Sequence, residues 1–485
     1  MKKYLIYLCL FYASNNLFAL SFENSMKITL SKNLNIKLKN EEIKYYEGLN
    51  LEQEGTFNTN VTTSADIGRV KSQDSLYVDE GVIKNDTLDY DIHFNKNLEE
   101  GLELESGITY SKSNVNEDGT KAKSETNKIY FSIIKPLLKN SDKEIITANK
   151  KLAQYDVDIS HLNYKREIAN SIYNSATAYW SYVLSYKKYN LDIESKKRAE
   201  DLLKDTKELI LSDTKPKSDE LQPLASYNSK IMNLLTTKQS FKNSKYTLGL
   251  NLGISLQNVN LIKKPWDSFP IPSDEILNKL NNKETFYSLG LKNRMDLKTY
   301  ELNIKKSELN MKIVKDQLQP DLNLTFSTDY TEVKNNRNEN SSTLSLSYTF
   351  PIENSAARGQ VIAYNSQLAQ DKIKYKEFKR KINLDIDQTI ENIKIIIESY
   401  NQIEKSIKNY EKAVENEQLK YSLGLSTMLN VIQTNDSLYE EQIRKLDILQ
   451  TYATQIAQLY FDTGILSNDN ATEFSIDYSD FFTIN

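Results

Sequence analysis

The stretch from residue 354 to residue 423 constrains the fold of this chain more than any other feature. It contains no proline, and its only glycine, Gly359, lies near its start. Apolar side chains recur along it at a mean spacing of about 3.6 residues, the period of an α-helix. They are Ile382, Ile386, Ile390, Ile393, Ile397, Tyr400, Ile403, Ile407, Tyr410 and Val414. A helix of about 70 residues is roughly 100 Å long, so it needs an equally long partner to cover its apolar stripe.

A partner helix follows directly. The segment Tyr421-Ser-Leu-Gly424-Leu-Ser426-Thr427 combines a stop and a restart. Gly424 suits the left-handed position after a helix, and Ser426 or Thr427 suits the N-cap of the next one. A second helix is predicted to run to about Thr463. The sequence therefore predicts a long helical hairpin whose tip is the Gly424 turn.

Two segments before this hairpin alternate between apolar and polar residues. They are residues 321–330 and 343–350, and a hydrophilic loop rich in Asn joins them. About ten residues is the length that a tilted β-strand needs to cross a bilayer, with apolar side chains facing lipid and polar ones facing a lumen. An amphipathic hairpin on a soluble core has the same alternation. The pattern alone therefore leaves both interpretations open.

The N-terminal half repeats this order. Alternating segments near 57–67, 88–95, 102–110 and 126–134 precede a long helix over about 144–211, a turn with Pro216 and a helix to about Leu250. Pro136 and Pro351 lie 215 residues apart, and the two turns, at residues 213 and 424, lie 211 apart. Such agreement predicts an internal repeat. The predicted parts are a signal peptide (1–19), a first repeat (20–254), a linker (255–283), a second repeat (284–466) and a C-terminal tail (467–485).

The N-terminus has the pattern of a secretory signal. Met1-Lys2-Lys3 is basic, a short apolar run follows, and cleavage is expected after Ala19. The run is shorter than the roughly 20 residues of a spanning helix. Cys9, the only cysteine, lies inside this segment, so the mature chain would have neither a disulfide nor a thiolate metal site. No later stretch is apolar enough for a spanning helix, so any membrane span is expected to be β.

Charge and side-chain chemistry exclude other classes of function. The net charge of −4 provides no basic field for nucleic acid. His93 and His161 are isolated, and neither a Cys/His cluster nor a glycine-rich phosphate loop occurs. The sequence therefore predicts no enzyme, no catalytic residues, no metal site, no cofactor and no nucleic-acid partner.

Several short motifs carry a family resemblance through their order and spacing. In the second half they are Arg294-Met295-Asp296-Leu297, Gln319-Pro320-Asp321-Leu322, Phe350-Pro351 and the Tyr421-to-Thr427 turn; in the first half they are Glu100-Gly101 and Lys135-Pro136-Leu137-Leu138-Lys139. With them the chain resembles the outer-membrane efflux protein family, the TolC-like proteins. The resemblance covers about Ser25 to Leu466.

This resemblance implies a mainly α fold with membrane β-strands. In the family, a homotrimer shares one twelve-stranded β-barrel in outer-membrane lipid, and a periplasmic α-helical barrel continues it. Each protomer gives four strands, so two of the four alternating segments in the first half suffice, and we assign 102–110 and 126–134 to the membrane. The family members are passive ducts of tripartite efflux or type I secretion systems. Their partners are a periplasmic adaptor (membrane fusion) protein and an inner-membrane transporter.

The resemblance also implies site residues at the second turn. Adaptor tips dock there in the family, which assigns docking to Tyr421, Leu423, Gly424, Ser426 and Thr427; the alternative is that Gly424 and Ser426 only cap two helices. Some members close the tunnel with two acidic residues and an arginine. The matching positions here are Asn430, Gln433 and Ser426, which predicts a neutral polar gate lined by Asn430 and Gln433, unless Asp436 substitutes one turn later.

A second class of function competes with the duct. A periplasmic coiled-coil scaffold or adaptor without a pore would explain the signal peptide and the long helices. It would not explain a strand hairpin before each of the two helical hairpins. The sequence therefore favours the duct.

Overall fold

A computed structural model describes residues 19–73, 82–117, 120–262, 264–334 and 338–467. The predicted signal peptide (1–19) except Ala19, and the predicted tail (467–485) except Ser467, lie outside the described residues. The chain divides into two compact units. One, the helical unit, contains residues up to 42, 161–299 and from 376 onward. The other, the sheet unit, contains residues 43–160 and 300–375.

Most of the described chain is helical. In chain order, the elements of the first half are β1 (Ala19–Leu20), α1 (Phe22–Lys32), α2 (Leu34–Glu54), β2 (Thr59–Gln73), β3 (Val82–Asn97), β4 (Glu103–Glu117), β5 (Thr120–Pro136), α3 (Lys143–Ile146), α4 (Ala148–Leu211) and α5 (Leu221–Leu252). Those that follow are α6 (Leu256–Leu261), β6 (Lys264–Pro265), α7 (Asp274–Leu280), α8 (Lys283–Asn293), α9 (Met295–Asp316), β7 (Asp321–Val333), β8 (Glu339–Thr349), α10 (Ser355–Ser422) and α11 (Met428–Asp462). None of the helices in these described ranges is both long and apolar enough to cross a membrane.

The predicted apolar stripe of α10 is buried. Five isoleucines of this 68-residue helix have no exposed surface: Ile382, Ile386, Ile390, Ile393 and Ile397. Burying one such side chain contributes about 1.5–3 kcal/mol. Helix α8 packs closely against this stripe, because a Cβ on Gly290 would lie 2.7 Å from the Ile386 Cδ1. The stripe that predicted the helix is thus also what holds it in the helical unit.

The segment 255–283, predicted as a linker, is a folded part of the helical unit. It contains α6 and α7, and β6 pairs with β1 in parallel. Asp267 accepts hydrogen bonds from the Phe22 N–H (2.6 Å) and the Tyr179 hydroxyl (2.6 Å). Phe22 also stacks on Trp180, with ring centroids 5.2 Å apart. The prolines of this segment separate short elements that pack on the aromatic core.

One six-stranded antiparallel sheet dominates the sheet unit. Its strand order is β2-β3-β4-β5-β7-β8. The predicted strands 321–330 and 343–350 correspond to β7 and β8, and 102–110 and 126–134 fall within β4 and β5. The first half, however, contributes four strands to this sheet, since β2 and β3 belong to it as well. The prediction omitted them because a strand count taken from the family overrode the alternation in the sequence.

The backbone repeats itself at matching positions of the two halves. Left-handed residues occur after the sheet strands, at both helical-hairpin turns and at both hairpin ends, as the pairs Asn140 and Asn354, Asp213 and Gly424, and Gly253 and Gly464. The members of these pairs are 214, 211 and 211 residues apart. Matching left-handed conformations at a nearly constant offset are the structural sign of an internal repeat.

Candidate functional site

The second helical hairpin turns at Gly424. Its φ of 75° is left-handed, and the N–H of Leu425 donates to the Lys420 carbonyl (2.8 Å) while that of Gly424 donates to the Tyr421 carbonyl (3.0 Å). Such paired bonds satisfy the last carbonyls of α10. No atom lies within 4 Å of a Cβ built on Gly424, so backbone conformation rather than crowding favours glycine there.

Thr427, rather than Ser426, is the N-cap of α11. Its side chain accepts a hydrogen bond from the Asn430 N–H at 3.3 Å. Ser426 has a different role, because its hydroxyl donates to the Glu417 carboxylate near the end of α10, a bond that holds the pKa of Glu417 below its usual value. The Asn430 amide in turn donates to the Ser426 oxygen at 3.2 Å. Ser426 therefore connects the two helices of the hairpin.

The first hairpin turn has the same backbone and touches the second turn within the helical unit. Asp213 is left-handed (φ 56°), and the N–H of Thr214 donates to the Leu209 carbonyl at 3.0 Å. The Lys215 ammonium lies 5.2 Å from the centre of the Tyr421 ring, within the range of a cation–π contact. Burial raises the pKa of Tyr421.

Exposed leucines surround both turns. They are Leu211, Leu221, Leu419, Leu423, Leu425 and Leu429, of which Leu211 is 85% and Leu425 75% exposed. Only Leu423 belongs to the predicted docking set. Leu211 and Leu221 were missed because the first turn is charged and lacks a glycine, and Leu419, Leu425 and Leu429 because the predicted set followed the family motif of the second turn. Apolar side chains gathered at one place on a surface are typical of a contact with a partner.

Asn430 and Gln433, the predicted gate residues, are exposed on the described chain. Their lining of a constriction stays a prediction. Asp436, the possible acidic substitute, forms an ion pair with Lys230 of α5 at 2.6 Å. Because only 12% of the Lys230 side chain is exposed, this carboxylate has a nearly buried counter-charge.

Lys230 and Asp436 belong to a larger polar cluster that joins the two hairpins. The Lys230 ammonium lies 5.0 Å from the Tyr439 ring centre. The Tyr439 hydroxyl donates to the carboxylate of Asp192, which is buried in α4, and Thr237 of α5 donates to the same carboxylate at 2.7 Å. Burial, followed by the Asp192 hydrogen bond and charge, raises the pKa of Tyr439. We call Asp192, Lys230, Thr237, Asp436 and Tyr439 the inter-hairpin cluster.

The sequence contains one overlooked signal for this cluster. Asp192 precedes the buried Ala199 and Thr206 at steps of seven residues. Seven residues are two helical turns, so Asp192 occupies the buried seam of α4. An acidic residue in such a seam needs a partner.

A second buried ionic cluster forms around the Arg294-to-Leu297 motif. The Arg294 guanidinium donates twice to Asp296, at 2.7 and 3.1 Å, and lies 3.8 Å from Asp462 at the end of α11. It also lies over the Phe378 ring at 5.3 Å. The Asp462 carboxylate accepts from Thr389 at 3.1 Å. We call Arg294, Asp296, Thr389 and Asp462 the Arg294 cluster.

Metal ligation finds no basis in the part of the chain that the structure describes. Its residues contain no group of three or more His, Cys, Asp or Glu side chains that could hold an ion. The contacts described above define two hairpin tips with exposed leucines and a polar cluster that joins the hairpins.

The second half of the chain matches the family that its motifs resemble. Residues 286–464 match the family model described as outer membrane efflux protein. That range includes all four motifs of the second half. A search among curated proteins gives no significant match.

Solved structures of outer-membrane channels have the same fold. The Campylobacter jejuni CmeC outer membrane channel is 13% identical, with a TM-score of 0.69 over 91% of this chain and 85% of that one. The Vibrio cholerae outer membrane protein VceC is 13% identical, with a TM-score of 0.69 over 91% and 96%. The open state of the Neisseria gonorrhoeae MtrE channel is 14% identical, with a TM-score of 0.62 over 91% and 88%. These likenesses confirm the predicted TolC-like fold class.

Proposed function

We propose that this chain, a relative of the outer membrane efflux proteins through its match over residues 286–464, is the duct of a tripartite efflux or type I secretion system. The family and the fold are those of channel proteins, and both support an efflux duct in the outer membrane. In this proposal the chain does no chemistry. It is a passive conduit for what an inner-membrane transporter delivers.

The observation that carries the proposal is that one face of the sheet is apolar and exposed while the other is polar. Ile92, Ile108, Ile129 and Tyr330 are cross-strand neighbours on β3, β4, β5 and β7, and between 43% and 55% of each is exposed. Neighbouring positions point to the opposite face, where polar residues prevail. An exposed apolar face is costly in water but suits lipid. A periplasmic scaffold without a pore would have no use for it.

The same sheet supports assembly into a ring of copies, and three is the number that the family resemblance implies. In lipid, each unpaired N–H or C=O at an open sheet edge costs several kcal/mol. Joining copies edge to edge removes the edges. The periplasmic partners would be an adaptor at the hairpin tips and an inner-membrane transporter. Asn430 and Gln433 would line the neutral constriction at the closed end of the helical barrel.

The native mass in mild detergent tests this function. Protein extracted from isolated outer membranes is expected to migrate as a trimer and to be absent from the detergent-free periplasmic fraction. The reason is that the exposed apolar face requires lipid or detergent. A monomer or dimer released without detergent would contradict the duct and favour the periplasmic scaffold.

The docking role of the second tip predicts a separate effect. Leu423→Asp and Leu425→Asp place charges on side chains that are 64% and 75% exposed, so they should abolish adaptor cross-linking and efflux without unfolding the hairpin. The measurement is susceptibility to pump substrates together with in-cell adaptor cross-linking. Leu256→Asp, at a similarly exposed leucine (64%) of α6, is the matched control. Full efflux by both tip variants would leave the turn with a capping role only.

A further inference from the structure

The strands β2 and β3 form a hairpin beyond the two strands of the first half that were predicted for the membrane. They pair in register over 15 positions, from Thr59 with Lys96 to Gln73 with Val82. β3 then pairs with β4 over 15 positions. The hairpin is therefore a continuous part of the sheet.

The hairpin shares the apolar face of the other four strands. Its outward positions on β2 include Val61 and Ile67, which are 56% and 84% exposed. Cross-strand partners in antiparallel pairs point to the same face. One row across all six strands consists of Thr63, Ile92, Ile108, Ile129, Tyr330 and Asn340.

The hairpin also shares the polar face. A row of the opposite side consists of Ser64, Asp91, Thr109, Lys128, Thr331 and Glu339. Thr109 of β4 donates to Asp91 of β3 at 2.8 Å across this face. On the apolar face of β2 and β3, charges occur only toward the ends, where Arg69 pairs with Asp86 at 2.5 Å. A hairpin with this distribution suits lipid on one side and water on the other, as its neighbours do.

The two edge strands of the sheet run in opposite directions, so the edges of two copies can pair antiparallel. β2 is one edge and β8 the other, with 15 and 11 residues. Every neighbouring pair is antiparallel, and the number of strands is even, so β8 runs opposite to β2. The β8 edge of one copy can therefore pair antiparallel with the β2 edge of the next. A β4 edge is not available, since β3 already pairs with it.

We propose that each copy contributes six strands to the shared barrel and that the interface between copies is β8 against β2. Resting on the proposed homotrimer, this makes a barrel of eighteen strands instead of the family's twelve. With strands about 4.8 Å apart and tilted by about 40°, eighteen strands give a backbone diameter of about 36 Å, against about 24 Å for twelve. The membrane pore is correspondingly wider.

Disulfide cross-linking tests the interface. In a Cys9→Ser background, Ser64→Cys on β2 is combined in turn with Ser341→Cys, Thr343→Cys, Ser345→Cys and Ser347→Cys on β8, all on the polar face. The series covers the unknown register between copies. Within one copy the two edges are the far sides of the sheet, so every disulfide reports on two copies. We expect at least one combination to give covalent dimers and trimers after oxidation, and none to give larger products.

The matched control places the first cysteine on β4. Ser111→Cys, combined with the same four positions, should give no cross-link, because β4 lies two strand spacings, about 10 Å, from the β2 edge and a disulfide needs Cα atoms within about 7 Å. Cross-links from Ser111 and none from Ser64 would overturn the six-strand barrel in favour of four strands. A detergent-dependent oligomer without any cross-link would overturn it too. If no oligomer formed at all, the proposed function as a duct would itself be contradicted.

Discussion

Arg294→Ala is expected to lower the stability of the helical unit by about 3–5 kcal/mol, the usual cost of removing one partner from a buried ion pair. Arg294 is 9% exposed, and both carboxylates that face it are buried, Asp296 at 6% and Asp462 at 3%. Without the guanidinium, the buried Asp462 loses the Arg294 charge, and Asp296 is left with the more distant Arg166 at 3.9 Å. The measurement is thermal unfolding of the detergent-extracted protein, followed by circular dichroism and limited proteolysis.

The pH dependence of this loss identifies its cause. Burial raises the pKa of the Asp462 carboxyl, although hydrogen bonds from Gln458 and Thr389 and the Arg294 charge oppose it. A raised folded-state pKa means tighter proton binding when folded, so this contribution favours folding at low pH and is lost as pH rises through the folded pKa. Removing the Arg294 charge raises the pKa of Asp462 further, because that charge lowers it. The deficit of Arg294→Ala should therefore shrink as the pH is lowered from 7 toward the raised pKa of the Asp462 carboxyl.

Two further substitutions serve as controls for Arg294→Ala. Arg294→Lys keeps the charge but not the two-pronged contact with Asp296, so an intermediate loss is expected. Arg380→Ala removes an exposed arginine that pairs with Glu377 at 2.5 Å and should change little. A deficit as large for Arg380→Ala, or one that does not depend on pH, would exclude the Arg294 cluster as the cause.

In the duct that we propose, Lys230→Met is expected to loosen the contact between the two hairpins and with it the closed end. The substitution keeps the length of the side chain but leaves Asp436 without its counter-charge and Tyr439 without the cation over its ring. Because 44% of the Asp436 side chain is exposed, the loss should be on the order of 1 kcal/mol, or about fivefold in the ratio of open to closed states. Adding Tyr439→Phe removes a hydrogen bond to the buried Asp192 and should increase the effect. Single-channel recordings in planar bilayers measure the open fraction.

A closely matched control lies inside the second hairpin. Lys445 of α11 pairs with Glu404 of α10, and its ammonium lies 6.0 Å from the Tyr400 ring centre. Lys445→Met thus removes an ion pair and a cation–π contact of the same kind, but neither lies between the hairpins. It should leave the open fraction unchanged. Asn430→Ala or Gln433→Ala should instead raise the conductance of the open state. Equal effects of Lys230→Met and Lys445→Met would rule out a specific role for the inter-hairpin cluster.

Local signals account for what the sequence predicted well. The period of the isoleucines in α10 predicted both the helix and its buried face. Gly424 and Thr427 predicted the turn, since one acts through its own backbone and the other through a bond to a backbone N–H three residues later. The two ionic clusters could not be predicted, because their members come from distant parts of the sequence. Lys230 and Asp436 are 206 residues apart in sequence, and only the packed hairpins bring them together. The strands β2 and β3 were visible in the alternation, but a family count displaced them.

The even number of strands in each copy limits how the pore width can change during evolution. A copy that gained a single strand would present two edges running the same way, and an all-antiparallel ring would no longer close. Evolution can therefore add or delete only whole hairpins, and in a ring of three copies each such event changes the circumference by six strands at once. Pore width in this lineage would then vary in large discrete steps, each produced by one insertion or deletion between two existing strands.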